Sequence, residues 1–257
     1  MRQGFLIPLY NHGSTIKQVT ASLAGEGLPI IIVDDGSDGE TKRRLKETLD
    51  AFPLAEALRL EKNSGKGAAL IAGFLHARGR GLTHVLQIDA DGQHDSSRAR
   101  FFLEESARRP EAAICGMPEY DGSVPLVRLK GRALSRFWSR ICTLSTDIKD
   151  SLCGFRVYPV EASLRVIRRT LIDKRMGFDS ELLVRLHWAG TPLIFFPVKV
   201  IYPPGGISHF RMAADNARIS LAFTRLFFGM IVRLPALLGR KLKRARTPET
   251  KQRLSPP

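Results

Sequence analysis

Over its first half the chain alternates short apolar runs with polar segments of helical character. GFLIPLY (4–10), LPIIIVDD (28–35), AEALRLE (55–61), THVLQIDAD (83–91) and EAAICGM (111–117) read as strands, and each interval of about 15 to 22 residues has room for one helix. That rhythm predicts parallel strands joined by crossovers. Two of the runs are almost continuously apolar, as strands buried on both faces are, and each ends in acids: Asp34 and Asp35 in one, Asp89 and Asp91 in the other. Open sheets of this kind bind ligands beyond the carboxyl ends of their strands, so both acidic pairs are expected to face one crevice.

Between the two acidic ends, EKNSGKGAALIAGFLHARG gives a glycine-containing turn and then a helix over about 64–78. The spacing GxxxxGK[ST] is not met, and DDGSDGE stands where GxGxxG would follow the second strand, so ATPase and dinucleotide-binding readings lose their main support. In the second half, 124–146 reads as a long basic amphipathic helix, and DSLCGFRVYP (150–159) as a short strand or a strained turn ended by proline. EASLRVIRRTL, FDSELLVRLHWAG and TPLIFFPVKVIYP then suggest helix, helix and strand. With no linker-like segment between them, they should extend the same sheet.

Composition fits a folded chain of 257 residues, 44% hydrophobic and 25% charged. Cys115, Cys142 and Cys153 are widely spaced and form no CxxC pair, which points to core thiols in a reducing compartment. The N-terminus has no apolar region long enough for a secretion signal, and no membrane span is expected, because Arg218, Arg225 and Arg233 interrupt the longest apolar region. The net charge of +15 is uneven: residues 209–257 hold 11 Arg or Lys against two acids. There, arginines at 218, 225 and 233 lie near one helical face beside Leu221, Phe223, Phe227, Phe228 and Ile231. Contact with an anionic membrane surface matches this pattern better than a core helix. Its many phenylalanines and leucines argue against nucleic acid.

On a regular strand Asp89 and Asp91 point to the same face and could reach one ion, with Gln93 adding an amide oxygen. Oxygen donors suit Mg2+ or Mn2+, and the lack of clustered His and Cys argues against structural zinc. The plain alternative is a polar loop that caps a helix near Ser96 and Ser97.

The stretches IPLYN (7–11), IIVDDGSDGET (31–41), EKNSGKGAAL (61–70), IDADGQHD (88–95) and SLCGFRVY (151–158) occur in one order. In them the chain resembles the inverting A-type nucleotide-sugar glycosyltransferases, in particular the dolichyl- and polyprenyl-phosphate sugar synthases. The resemblance implies an α/β GT-A domain over 1–209, a Rossmann-like, mostly parallel sheet flanked by helices, with a basic amphipathic helical extension and tail over 210–257. It also implies that Pro8, Tyr10, Asn11, Asp34 and Asp35 line the base and ribose pocket. Lys62, Gly65 and Lys66 would lie near the donor, and Asp89, Asp91 and Gln93 would hold the metal that bridges the diphosphate. His209 and Arg211, in GGISHFR, would approach the acceptor phosphate or the donor diphosphate. The chain departs from the synthases at His12, where they commonly carry glutamate, and at QHD, where they usually show QHP.

The expected reaction is transfer of a sugar from a nucleotide diphosphate-sugar to a membrane-associated, lipid-like acceptor by one in-line displacement. Arg156 is the candidate guanidinium for the charge growing on the leaving group. A hydroxyl acceptor would need a carboxylate base, with Asp150, Asp179 and Glu181 as unranked candidates, whereas a lipid phosphate would not. Nucleotidyl transfer and a non-catalytic assembly protein with a retained fold are the other readings. The expected location is cytoplasmic, peripheral on the inner face of the membrane. No oligomeric state follows from the sequence.

Overall fold

The computed structural model describes residues 1–120, 124, 126–201 and 212–246. The strands are β1 (Gln3–Leu9), β2 (Ile30–Asp34), β3 (Ala55–Arg59), β4 (His84–Gln87), β5 (Ala113–Tyr120), β6 (Arg156–Pro159) and β7 (Leu193–Val200). The helices are α1 (Gly13–Ala24), α2 (Gly39–Ala51), α3 (Lys66–Gly79), α4 (Ala99–Arg108), α5 (Leu126–Thr143), α6 (Val160–Arg168), α7 (Phe178–Trp188) and α8 (Met212–Arg246). One seven-stranded sheet runs in the order β3-β2-β1-β4-β6-β5-β7.

Strand parity divides the core into two layers. Phe5, Ile7, Leu9, Ile30 and Ile32 pack with Ile16 and Val19 of α1 and Phe102 of α4. Leu6, Ile31 and Val33 turn the other way, onto Leu70 and Phe74 of α3 and Leu182 and Leu183 of α7. Every residue of β2 is buried, which is why IIIVD reads as an unbroken apolar run. The three cysteines are buried and unbridged, and burial pushes their thiols up to about 12.

The sheet is not parallel throughout. β6 lies antiparallel to both β4 and β5 and separates them, so 150–159 resolves into a turn followed by a strand. Hydrophobic rhythm carries no information on direction, and β6 is short and wholly buried. β4 stops at Gln87, the last residue paired with β1 and the one opposite which β6 begins. Asp89 and Asp91 therefore lie in the turn beyond the strand, and the parity argument for a shared face does not apply to them.

α8 packs on α5 and α7, burying Ala222, Phe223, Leu226, Met230 and Leu237. Asp215–Leu242 is long and apolar enough to cross a membrane by length and composition alone, contrary to the sequence expectation. Its arginines are spaced so widely that an 18-residue window holds few of them. The segment is nevertheless tied to the domain along its length. Arg225 pairs with Glu181, Arg233 lies over the Trp188 ring, and Arg240 donates to the carbonyl of His187.

Candidate functional site

The carboxyl ends of β2, β1 and β4, where the crevice is expected, belong to three adjacent strands. β1 passes through Pro8, paired with Val33, to Tyr10 and Asn11. Asn11 adopts φ 52, and its side-chain oxygen accepts from the Asp38 N–H at 2.9 Å. Both second-strand acids are engaged inside the protein. Asp34 accepts from Arg59 and from the Ser37 N–H. Asp35 accepts from the N–H groups of Ser64 and Gly65, each at 2.7 Å. Burial raises the Asp35 pKa, and these two donors oppose the shift. Asp35 thus fixes the turn that opens α3. Gly65 is required there: it sits at φ +103, and a Cβ would meet the Lys174 carbonyl at 2.5 Å. Lys62 is exposed, and its backbone lies against Gly36.

With the turn fixed, the Lys66 ammonium stands between two carboxylates, 2.7 Å from Asp89 Oδ1 and 2.9 Å from Asp179 Oδ2. Burial works against its charge, but the two acids outweigh burial and raise its pKa. Asp89 shows the converse: burial favours its neutral form, yet Lys66 and His94 hold it well below the usual carboxylate range. Asp89 has this space because residue 154 is glycine, whose Cβ would fall 2.2 Å from Asp89 Oδ2. Asp91 sits one turn further out, accepting only the Gln93 N–H at 3.0 Å among the described residues. The turn is strapped to β7 by Asp95 N–H to Lys199 O and Ile201 N–H to Gln93 O. Asp95, not Asp89 or Asp91, caps the short helical turn at Ser96–Arg98.

Arg156 is placed beneath the acidic turn, with no exposed surface. It is fully buried on β6, on the same side as Tyr158 by strand parity. It donates to the Tyr158 hydroxyl at 3.0 Å and to the carbonyls of Asp179 and Asp150. It braces Asp179 and the 150–154 turn from beneath, with its guanidinium 4.0 Å from the Asp179 carboxylate.

The three candidate bases separate by environment. Both oxygens of Asp150 receive Arg132, and its Oδ1 also takes the N–H groups of Leu152 and Cys153. Glu181 has no exposure and accepts from the Asp173 N–H, Arg185 and Arg225. It ties α7 to α8 through Arg225. Asp179 alone adjoins the acidic pair, through Lys66, and also receives Gln87 Nε2 at 3.3 Å. His209 and Arg211 lie outside the described residues.

The structure adds a feature that sequence reading missed. An open cleft of about 120 Å³ is lined by Met117, Pro118 and Tyr120 of β5, Arg132 and Arg136 of α5, and Lys149. Arg136 and Lys149 have no carboxylate partner among the described residues. The 150–154 turn links this cleft to the crevice, with Asp150 in the cleft wall and Gly154 against Asp89. The signal was legible: arginines at 128, 132, 136 and 140 repeat every four residues on α5.

Comparison with known proteins follows from this geometry. Residues 5–174 match the sequence profile of Glycosyl transferase family 2. The Dolichyl-phosphate beta-glucosyltransferase of Dictyostelium discoideum is 28% identical over 209 residues, covering 76% of this chain and 63% of that protein. Glycosyltransferase AglD of Haloferax volcanii is 25% identical over 251 residues, covering 89% of this chain and 37% of that protein. The chain thus spans less than two thirds of the length of either relative. Among solved structures, glucosyl-3-phosphoglycerate synthase from Mycobacterium tuberculosis in complex with UDP superposes with a TM-score of 0.70 at 14% identity. That match covers 88% of this chain and 80% of the other. The same synthase with Mn2+, UDP-glucose and glycerol 3-phosphate gives 0.63 at 15% identity, covering 89% and 79%. The shared architecture is the GT-A fold, a Rossmann-like α/β sheet with a C-terminal helical extension.

Proposed function

The chain belongs to glycosyl transferase family 2, and on that premise we propose that it is an inverting, metal-dependent enzyme. It moves a sugar from a nucleotide diphosphate-sugar to a phosphate-bearing lipid of the polyprenyl phosphate kind. The relative named for dolichyl phosphate supports this acceptor class. One observation carries the choice: the three carboxylates that could deprotonate a hydroxyl are all held in ion pairs, while Arg136 and Lys149 face the cleft without a carboxylate. A phosphate is already anionic and needs binding, not deprotonation.

The donor set fits a hard divalent ion. Asp89, Asp91 and Gln93 offer oxygen atoms, and Asp89 Oδ1 is buried with no well-formed hydrogen bond, although the Lys66 ammonium lies beside it. Among the described residues no cluster of three or more His, Cys, Asp or Glu could hold an ion alone, so Mg2+ or Mn2+ would share its shell with the diphosphate. When bound, the ion neutralises the charge growing on the departing nucleoside diphosphate. The chain does the rest. Tyr10 and Asn11 border the nucleoside end of the crevice, and the turn pinned by Asp35 fixes Lys66 at the diphosphate end. Arg132, kept in place by Asp150, shapes the cleft where Arg136 and Lys149 receive the acceptor phosphate. A single displacement inverts the anomeric carbon and leaves no sugar on the protein.

Supplying the enzyme with a polyprenyl phosphate and the matching polyprenol tests this reading. Transfer to the phosphate alone is expected, and transfer to the alcohol alone would move the assignment to a hydroxyl acceptor with Asp179 as base. Removing both cleft cations, Arg136→Ala with Lys149→Ala, is expected to raise KM for the phosphate acceptor about tenfold or more, with donor KM unchanged.

The enzyme works at an anionic membrane surface, and the buried, unbridged cysteines support the cytoplasmic face. α5 and α8 pack together through Trp138 and Phe227, yet both leave apolar side chains exposed, among them Leu126 (74%) and Phe137 on α5 and Phe228 (63%) and Val232 (81%) on α8. α5 has five basic residues and no acid, a complement to anionic headgroups. The double change Phe228→Asp and Val232→Asp should abolish co-sedimentation with phosphatidylglycerol vesicles while sparing nucleotide binding. Undiminished sedimentation would remove α8 from the membrane contact.

A further inference from the structure

Lys66 is held too firmly to be a surface lysine that happens to meet two acids. Its backbone follows the turn that Asp35 pins through two N–H groups, and Ala68 N–H donates to the Lys174 carbonyl at 2.9 Å. From that position the ammonium touches Asp89 and Asp179, with 17% of its side chain exposed against 23% and 8% for the acids. The other oxygen of Asp89 lies against Gly154, and among the described residues its one cationic neighbour is His94 Nε2, at 3.9 Å. Asp89 is the innermost oxygen donor of the acidic pair, and a cation already sits on it. Asp91 has no ion pair among the described residues.

In a partly buried site an ammonium and a divalent ion on one carboxylate repel each other strongly, because little solvent separates them. A diphosphate brings the negative charge that lets both cations stay. Asp179 offers Lys66 a second anchor, at 2.9 Å. We propose that Lys66 is an internal counter-ion that occupies Asp89 in the donor-free protein and makes divalent-ion binding there conditional on the nucleotide diphosphate. Asp179 retains Lys66 when Asp89 is shared. The idea rests on the reading of Asp89, Asp91 and Gln93 as the metal site and assigns it an order of binding.

Electron paramagnetic resonance titration of Mn2+ into the full chain, alone and with UDP or GDP, tests this without turnover. Wild type should bind Mn2+ weakly alone and much more tightly with one of the nucleotides. Lys66→Met should bind Mn2+ alone about tenfold tighter than wild type, with a smaller gain on adding nucleotide. Asp179→Asn should move the other way, since Lys66 then leans wholly on Asp89 and nucleotide-free Mn2+ binding weakens. Unchanged or weaker nucleotide-free binding in Lys66→Met, with wild type still binding Mn2+ beside UDP or GDP, overturns the counter-ion role and leaves the metal site standing. No Mn2+ binding by wild type under any condition overturns both. Thermal melts report whether each variant is folded, and if Lys66→Met is not, the direction of the Asp179→Asn shift decides alone.

Discussion

In Asp91→Asn, the stabilisation that a nucleoside diphosphate confers with Mg2+ or Mn2+ disappears, and turnover falls by about 10²- to 10³-fold. Asp91 is the right position to change because nothing structural depends on its charge. It lies in the turn beyond β4, part exposed, and its one hydrogen bond among the described residues, from the Gln93 N–H, is one that asparagine can also accept. Asp89→Asn would be ambiguous, since it would also release Lys66. A nucleotide at a hundred times its Kd stabilises a protein by about 2.7 kcal/mol, and in a chain of this size that raises Tm by roughly 5 to 10 °C. Wild type should show this rise with the right nucleotide and lose it on chelation. The variant should show none with metal present, while its own melt matches ligand-free wild type. An equal rise in both proteins would detach the acidic turn from nucleotide chemistry.

Glu181 carries the largest expected effect on stability. Its carboxylate has no exposure and answers three donors, the Asp173 N–H, Arg185 and Arg225. Removing one partner from a buried ionic network costs about 3 to 5 kcal/mol, because the other charges stay behind without compensation. Glu181→Ala should therefore lower Tm by on the order of 10 °C and shift the urea midpoint, with loosening of α8 as the visible local change. Well below its melting point the variant should turn over at nearly the wild-type kcat. The opposite pattern, a lost kcat with unchanged stability, would make Glu181 a catalytic base.

What the sequence disclosed and what it hid divide along physical lines. Continuous apolar runs such as IIIVD report burial on both faces, and acids at the ends of two such runs mark one edge of the sheet, although Asp34 and Asp35 are buried there in contacts of their own. Asp89, Asp91 and Gln93 are accordingly gathered in one turn at the expected edge of the sheet. Strand direction leaves no trace in composition, so the antiparallel β6 and the early end of β4 were not legible. Arg156 shows the limit at single residues: its charge was legible, while the burial and the bond to Tyr158 that strand parity gives it were not. Lys66 was legible as a lysine near the donor, while its double pairing was not, because Asp179 lies 113 residues further along the chain. The exposed apolar faces of α5 and α8 follow from packing between helices, which an amphipathic pattern in either helix alone cannot specify.

The placement of Asp179 and Glu181 on the first turn of α7 has a kinetic consequence. Asp179 pairs with Lys66 and Glu181 grips α8 through Arg225, so on the proposed reading the helix that would rest on lipid and the site that would handle the sugar are joined through one helical turn. Under the proposed membrane contact, that link would hold the cleft at a constant height above the bilayer. Donor would then be collected from the bulk in three dimensions and acceptor from the leaflet in two. Rate should follow the mole fraction of acceptor in the membrane, not its total concentration in the suspension, and diluting acceptor vesicles with plain lipid should slow the reaction although no acceptor has been removed.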